Sequence, residues 1–351
     1  MDIFELLGKT VEMKASDLHL TVALPPIMRI SGKMERYGDI PLNTEEIIGF
    51  AKQMLNERQL NDLEEKGETD LSFSNPGVGR FRVNVYKQRG SCSMAIRVIA
   101  QKIPNMEELG LPSVIKELAM KKRGLVLVTG PTGSGKSTTL AAMIDAINRE
   151  RSGHILTLED PIEYLHKHNN CMVNQREIGS DSRSFANALR AALRQDPDVI
   201  LVGEMRDLET ISIAITAAET GHLVLSTLHT IGATKTVDRI IDVFPPDQQQ
   251  QVRIQLSGVL EGVISQQLLP KVNQQGRVVA LEIMVATPAI RNLIREGKTH
   301  QMQTSIQTGM KFGMTTMDAS LSELYRKGLL TRETALNHAV DREMLERLLG
   351  I

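Results

Sequence analysis

Gly130-Pro131-Thr132-Gly133-Ser134-Gly135-Lys136-Ser137, extended by Thr138, has the spacing of a phosphate-binding loop. The chemistry follows from the residue types. Glycines permit a tight backbone whose N–H groups converge on phosphate oxygens, and the helix that follows adds the partial positive charge of its N-terminus. Lys136 would reach the β- and γ-phosphates of a nucleoside triphosphate, and Ser137 would hold Mg²⁺. Thr132, Gly133, Ser134, Gly135 and Thr138 complete the cradle. A glycine-rich turn without a ligand is the bland alternative, but the setting speaks for the loop: an apolar run at 125–129 precedes it, and Thr139, Leu140, Met143 and Ile144 open a helix after it.

A carboxylate belongs beside such a loop. Val199-Ile200-Leu201-Val202-Gly203-Glu204 ends a buried strand in an acid, which places Glu204 at the C-terminal edge of a sheet, where metal and γ-phosphate would sit. Asp is the usual residue there. Glu204 is a candidate for Mg²⁺ coordination through water, for activation of the attacking water, or for both; a merely solvated carboxylate is the alternative. The run 155–158 is followed by Glu159, Asp160 and Glu163, a self-repelling cluster that a cation would match. His222 and His229 bracket the strand 223–227; one at each end could sense the γ-phosphate or relay its loss, and a purely structural role is the alternative. Zinc is disfavoured, because no third ligand stands at a suitable spacing.

These groups need a scaffold. Unalternated apolar runs at 125–129, 155–158, 199–202 and 223–227, separated by helical patterns at 137–148, 184–194 and 208–220, predict an α/β unit with a parallel sheet covered on both faces. Beyond Pro288 only helical patterns remain. Residues 102–112, with Pro104, Gly110 and Pro112, read as a linker. Ahead of it lies a smaller mixed region. Ile3, Leu6, Leu7 and Val11 follow helical spacing, and acids near the start argue for a mature N-terminal helix rather than a signal peptide. Asn43 and Glu46 form a capping pair ahead of another helix. Phe81, Val83 and Val85 alternate with Arg80, Arg82 and Asn84, as Met94, Ile96 and Val98 do with Arg97. Arg82 and Arg97 read at this level as solvent-facing strand positions. The expected division is 1–101, linker 102–112, nucleotide core 113–287 and helical region 288–351.

Composition narrows the function classes. In 351 residues, 41 Lys and Arg against 42 Asp and Glu leave a net charge of −1, so no global field draws the chain to nucleic acid or anionic lipid. Aromatic residues are 3 % and Trp is missing, which handicaps single-strand stacking. The two cysteines, Cys92 and Cys171, are too few for a disulfide framework and fit a reducing compartment.

Taken together, the segments resemble the type II/IV secretion and pilus-motor ATPase superfamily, most closely the type IV pilus retraction ATPases of the PilT type. The resemblance rests on Ala15-Ser16-Asp17-Leu18-His19-Leu20, the loop 130–138, the acidic box 156–163, the stretch 196–207 around Glu204, the box His222 to His229, and Ala289-Ile290-Arg291-Asn292-Leu293-Ile294-Arg295-Glu296-Gly297-Lys298. It implies a PAS-like α+β N-terminal domain joined to a RecA-like parallel-sheet ATPase domain with a helical C-terminal region. It also implies a cytoplasmic homohexamer that meets the inner membrane only through a pilus platform protein, with ATP and Mg²⁺ as cofactors and neither zinc nor nucleic acid as partners. ATP would lie between the two domains, and Arg82 and Arg97 of a neighbouring subunit would complete the site, which turns the bland reading of these arginines into a functional one. Glu163 would activate water and Glu204 would handle metal or water; sequence does not separate the two roles.

Extension and secretion-assembly relatives commonly carry a four-cysteine zinc insertion after the carboxylate strand. Between Glu204 and Ile351 there is no cysteine. Retraction is therefore expected, with pilus extension or type II secretion assembly as the alternative. A nucleic-acid motor and a non-hydrolysing nucleotide-gated scaffold rank lower, the scaffold because Glu163 and Glu204 are both present.

Overall fold

The structure is a computed structural model that describes residues 2–99, 102–272 and 276–350. The chain divides into two compact units, Met1–Lys102 with Glu163–Leu165, and Ile103–Ile162 with His166–Ile351. The boundary expected at residue 101 lies outside the described residues.

In the first unit, β1 (Asp17–Leu20), β2 (Ile27–Ile30) and β3 (Lys33–Arg36) follow α1 (Ile3–Glu12). Helices α2 (Thr44–Met54) and α3 (Glu57–Lys66) then precede β4 (Glu68–Asn75), β5 (Gly79–Gln88) and β6 (Ser91–Val98). The six strands form one antiparallel sheet in the order β3-β2-β1-β6-β5-β4. Asn43 and Glu46 make the expected reciprocal capping box at α2, and Asn56 and Gln59 make another at α3. Period-2 alternation divides the sheet: Leu18, Met28, Leu71, Phe81, Val83, Val85, Met94 and Ile96 are buried with Ile3, Leu6, Leu7, Ile47 and Phe50 of the helices. The other face is polar. Opposite one another across it stand Arg29, Asp17, Arg97, Arg82 and Ser72.

The second unit opens with α4 (Ser113–Ala119), β7 (Gly124–Thr129), α5 (Lys136–Glu150), β8 (Gly153–Glu159) and β9 (Cys171–Glu177). Next come α6 (Phe185–Ala192), β10 (Val199–Val202), α7 (Leu208–Glu219), β11 (Leu223–Leu228), α8 (Ala233–Asp242) and α9 (Pro246–Val259). Strands β12 (Leu260–Pro270) and β13 (Arg277–Val285) precede the helices α10 (Pro288–Arg295), α11 (Met302–Gln307), α12 (Met317–Arg326), α13 (Arg332–Asn337) and α14 (Arg342–Leu349). The sheet runs β13-β12-β7-β11-β10-β8-β9. Every neighbouring pair is parallel except β12 with β13. The expected parallel sheet is present and carries β13 as an antiparallel edge strand, because the short connection from Pro270 to Arg277 leaves no room for a crossover and forces a hairpin.

Alternate residues of the central strands feed cores on opposite faces. Leu125, Leu127, Ile200 and Val202 pack with residues of α6 to α11, whereas Val126, Val128, Val199 and Leu201 pack with α4 and α5. Residues 102–112 are less of a free linker than their proline and glycine suggest: Met106 is buried in the second of these cores, and Asn105 and Glu108 hydrogen-bond each other's backbone N–H. The helices beyond Pro288 share the sheet's cores. Ile290 and Ile294 are fully buried, each contributing about 1.5–3 kcal/mol, and Met317, Leu321 and Leu345 pack on Leu269 and Ala280 of the hairpin.

Candidate active site

The phosphate loop leaves the C-terminal end of β7, between β11 and β12. Gly130 has φ +138°, and a Cβ there would stand 2.2 Å from the carbonyl oxygen of Gln266, so only glycine fits. Ser134 N–H closes a turn on the Pro131 carbonyl at 3.2 Å. Gly135, left-handed at φ +89°, starts the 15-residue α5, whose first-turn N–H groups and dipole favour an anion. Thr132, Gly133 and Ser137 are exposed, Thr138 is half-buried and Ser134 is buried. Lys136 Nζ donates to the carbonyls of Gly130 (2.9 Å) and Pro131 (3.1 Å). Its burial lowers its proton affinity below that of a free lysine, and the charge of Glu204 works the other way. An incoming phosphate therefore meets an ammonium already aimed at the loop.

Glu204 is fixed by its neighbours in the sheet. Gly203 N–H donates to the Leu158 carbonyl at 2.7 Å, Thr227 Oγ1 donates to the Gly203 carbonyl at 2.6 Å, and Met205 N–H donates to the Thr227 carbonyl at 3.2 Å. The carboxylate accepts through Oε1 from Arg206 Nε at 2.5 Å and lies 3.0 Å from His229 Nε2, with its side chain only 18 % exposed. Burial by itself would raise this carboxyl, but the Arg206 hydrogen bond and the neighbouring His229 outweigh it and hold the group below the ordinary glutamate value. Glu204 is thus ionised throughout the neutral range. Oε2 takes no hydrogen bond from the described residues. The hard oxygen donors Ser137 and Glu204, one oxygen of the latter uncommitted, fit Mg²⁺, which takes few protein ligands beside phosphate and water. Asp207, next in the stretch, caps α7 through Thr210 N–H at 2.8 Å.

The structure separates the two histidines. His229 stands beside Glu204, but His222 sits at the opposite end of β11, where its carbonyl accepts from Gly124 at the start of β7. Its Nδ1 lies 2.9 Å from the Ala217 carbonyl at the end of α7. The expected catalytic role of His222 is corrected on this geometry: a strand of six residues at about 3.3 Å each puts roughly 20 Å between the two ends. The acidic box also disperses. Glu159 accepts from Thr157 Oγ1 at 2.6 Å and from Gln175 Nε2 at 3.2 Å, while Asp160 and Glu163 are exposed on the turn that follows. Among the described residues no three His, Cys, Asp or Glu side chains gather as a metal cluster, so the cation expected to draw Glu159, Asp160 and Glu163 together is not supported by their placement.

Arg82 and Arg97 are exposed cross-strand partners on the polar face of the first unit's sheet. Arg97 Nε donates to Asp17 Oδ1 at 3.0 Å, and Arg29 Nε lies 3.7 Å from Asp17 Oδ2.

His166 lies just after the acidic box and is pushed down to about 4 by burial. Its folded value is below its unfolded one, so the neutral ring contributes stability above about pH 6.5 that is lost as the pH falls toward 4. Denaturant unfolding should show a loss of up to about 3 kcal/mol across that window, flattened in His166→Gln. An unchanged pH slope in the variant would contradict the assignment.

Residues 67–275 match the family of type II/IV secretion system proteins. The "Type IV pilus retractation ATPase PilT" of Pseudomonas aeruginosa is 54 % identical over 97 % of this chain and 98 % of its own. The chain belongs to the type II/IV secretion ATPase superfamily, in its PilT-type pilus retraction branch. A "Twitching motility protein" of Neisseria gonorrhoeae is 50 % identical over 91 % of this chain and 86 % of its own. The crystal structure of the pilus retraction motor PilT with bound ADP superposes with a TM-score of 0.92 at 52 % identity, covering 99 % of both chains.

Several residues of this PilT-type site escaped the sequence reading. Arg206 was visible only as the second residue after Glu204, Thr227 as one apolar-run member among others, and Gln266 not at all. Asp17 lay inside a family segment without a role. Its pairing with Arg97 becomes legible only from the strand register.

Proposed function

We propose that the chain is an ATP-hydrolysing motor, assembled as a homohexamer, that drives type IV pilus retraction and so twitching motility. One observation carries the chemistry: the phosphate loop and the ionised Glu204, with His229 beside it, stand at the C-terminal ends of the parallel neighbours β7, β11 and β10. Similarity over nearly the whole chain to pilus retraction ATPases supports the choice of task.

The loop N–H groups and the N-terminus of α5 bind the phosphates, and Lys136 exchanges its two loop carbonyls for phosphate oxygens. Ser137 and Glu204 would hold Mg²⁺, which when bound would neutralise phosphate charge. Glu204, or Glu163 from the acidic turn, orients and deprotonates the attacking water. Arg82 and Arg97 of a second copy supply cations to the transferring phosphoryl group, which ties hydrolysis to ring geometry. Differences in contacts between ATP, ADP and empty states then move the subunits. No helix among the described residues is long and apolar enough to cross a membrane. We place the motor in the cytoplasm, meeting the inner membrane through a pilus platform protein.

Deleting the gene tests the direction of pulling. Persistent or excess pili that do not retract are expected; bald cells would overturn the reading in favour of assembly.

A further inference from the structure

We infer that Gln266 is a positioning residue for the phosphate loop: its side-chain amide holds the Ser134 carbonyl, so that the loop N–H groups face a bound phosphate. This rests on the nucleotide-binding reading above. Gln266 is 1 % exposed on β12, which runs parallel to β7 with Ser265 opposite Thr129. Its Nε2 donates to Ser134 O at 2.6 Å. The same residue touches both ends of the loop. Its carbonyl oxygen excludes any Cβ at Gly130, and its Nε2 would lie 3.2 Å from a Cβ at Gly135.

The other half of the amide argues against a purely structural role. Gln266 Oε1 is buried without a hydrogen-bond partner, as are Ser134 Oγ and Thr129 Oγ1 at the root of the loop. A buried acceptor left unpaired lowers stability, and a methionine of similar volume would fill the space without that penalty. What the glutamine adds is the donor to Ser134. The strand that carries it is itself anchored, because the adjacent Ser265 Oγ accepts from Gly232 N–H at 2.9 Å on the turn before α8. The loop is thus held from a rigid strand.

Loop N–H groups touch the phosphates in the ground state and the transition state alike, so loosening them removes uniform binding. In purified full-length protein, Gln266→Met is expected to raise KM for ATP about tenfold and to weaken binding of a fluorescent ADP in parallel, with kcat changed less than about threefold. The thermal midpoint without nucleotide should stay near that of the unaltered protein. Gln266→Asn, which keeps the amide but withdraws it by one methylene, should behave the same way and serves if the methionine variant folds poorly. An unchanged KM and ADP affinity in either folded variant would overturn the assignment. So would failure of both to fold, which would make Gln266 a determinant of the core. Lys136→Ala separates the two levels: if it binds and hydrolyses ATP normally, the nucleotide reading itself fails; if it loses binding while the Gln266 variants are normal, only this inference fails.

Discussion

Glu204→Gln is expected to lower ATP turnover by about 10²–10⁴-fold while leaving nucleotide affinity within a few-fold of the unaltered protein. The amide keeps the shape of the side chain and can still meet Arg206. It loses the charge that Arg206 and His229 hold ionised, and with it the capacity to take a proton or to match a cation. Binding is spared because the phosphate loop is built from β7, α5 and β12 and takes no hydrogen bond from Glu204. Steady-state hydrolysis together with a nucleotide titration decides the matter. Full turnover in the variant would remove Glu204 from the handling of water and metal.

Arg97→Ala should lower turnover by about 10³-fold or more, the scale of an arginine supplied in trans. The fold should tolerate the change, since Arg97 is 65 % exposed and its ion pair with Asp17 is a surface interaction worth at most about 1 kcal/mol. Mixing makes the prediction sharper. Arg97→Ala subunits retain Glu204, and Glu204→Gln subunits retain Arg97, so each supplies what the other lacks only across a subunit boundary. Co-assembled in equal amounts, two nearly inactive proteins should recover activity at roughly a quarter of their interfaces. A mixture as inactive as its components would place Arg97 in its own subunit's site or outside the chemistry.

Much of this site was legible in the sequence because its strands are buried on both faces. Val199 to Val202 and the run before Gly130 read as unbroken apolar stretches, and the residue after each is then forced to the sheet edge. The loop was legible because glycine and lysine at that spacing have few other uses. Gln266 was not, because α9 passes directly into β12 without a turn residue, and Ser265-Gln266-Gln267 gives a buried strand the texture of a surface. His222 misled because a histidine at each end of a strand looks symmetric in one dimension, whereas the parallel register gives only one end to the phosphates. The segment 289–298 carries a related lesson. Ile290 and Ile294 are core residues, and Arg291 caps the end of α9 through the Ser257 and Gly258 carbonyls and pairs with Glu261, so this retraction-type segment is built into the fold.

The central claim is that hydrolysis at Glu204 powers retraction. It is tested most directly by following single pili in cells whose only copy of this gene carries Glu204→Gln. Pili that extend and attach but do not shorten are the predicted result; retraction at the normal speed, or cells unable to make pili, would contradict it.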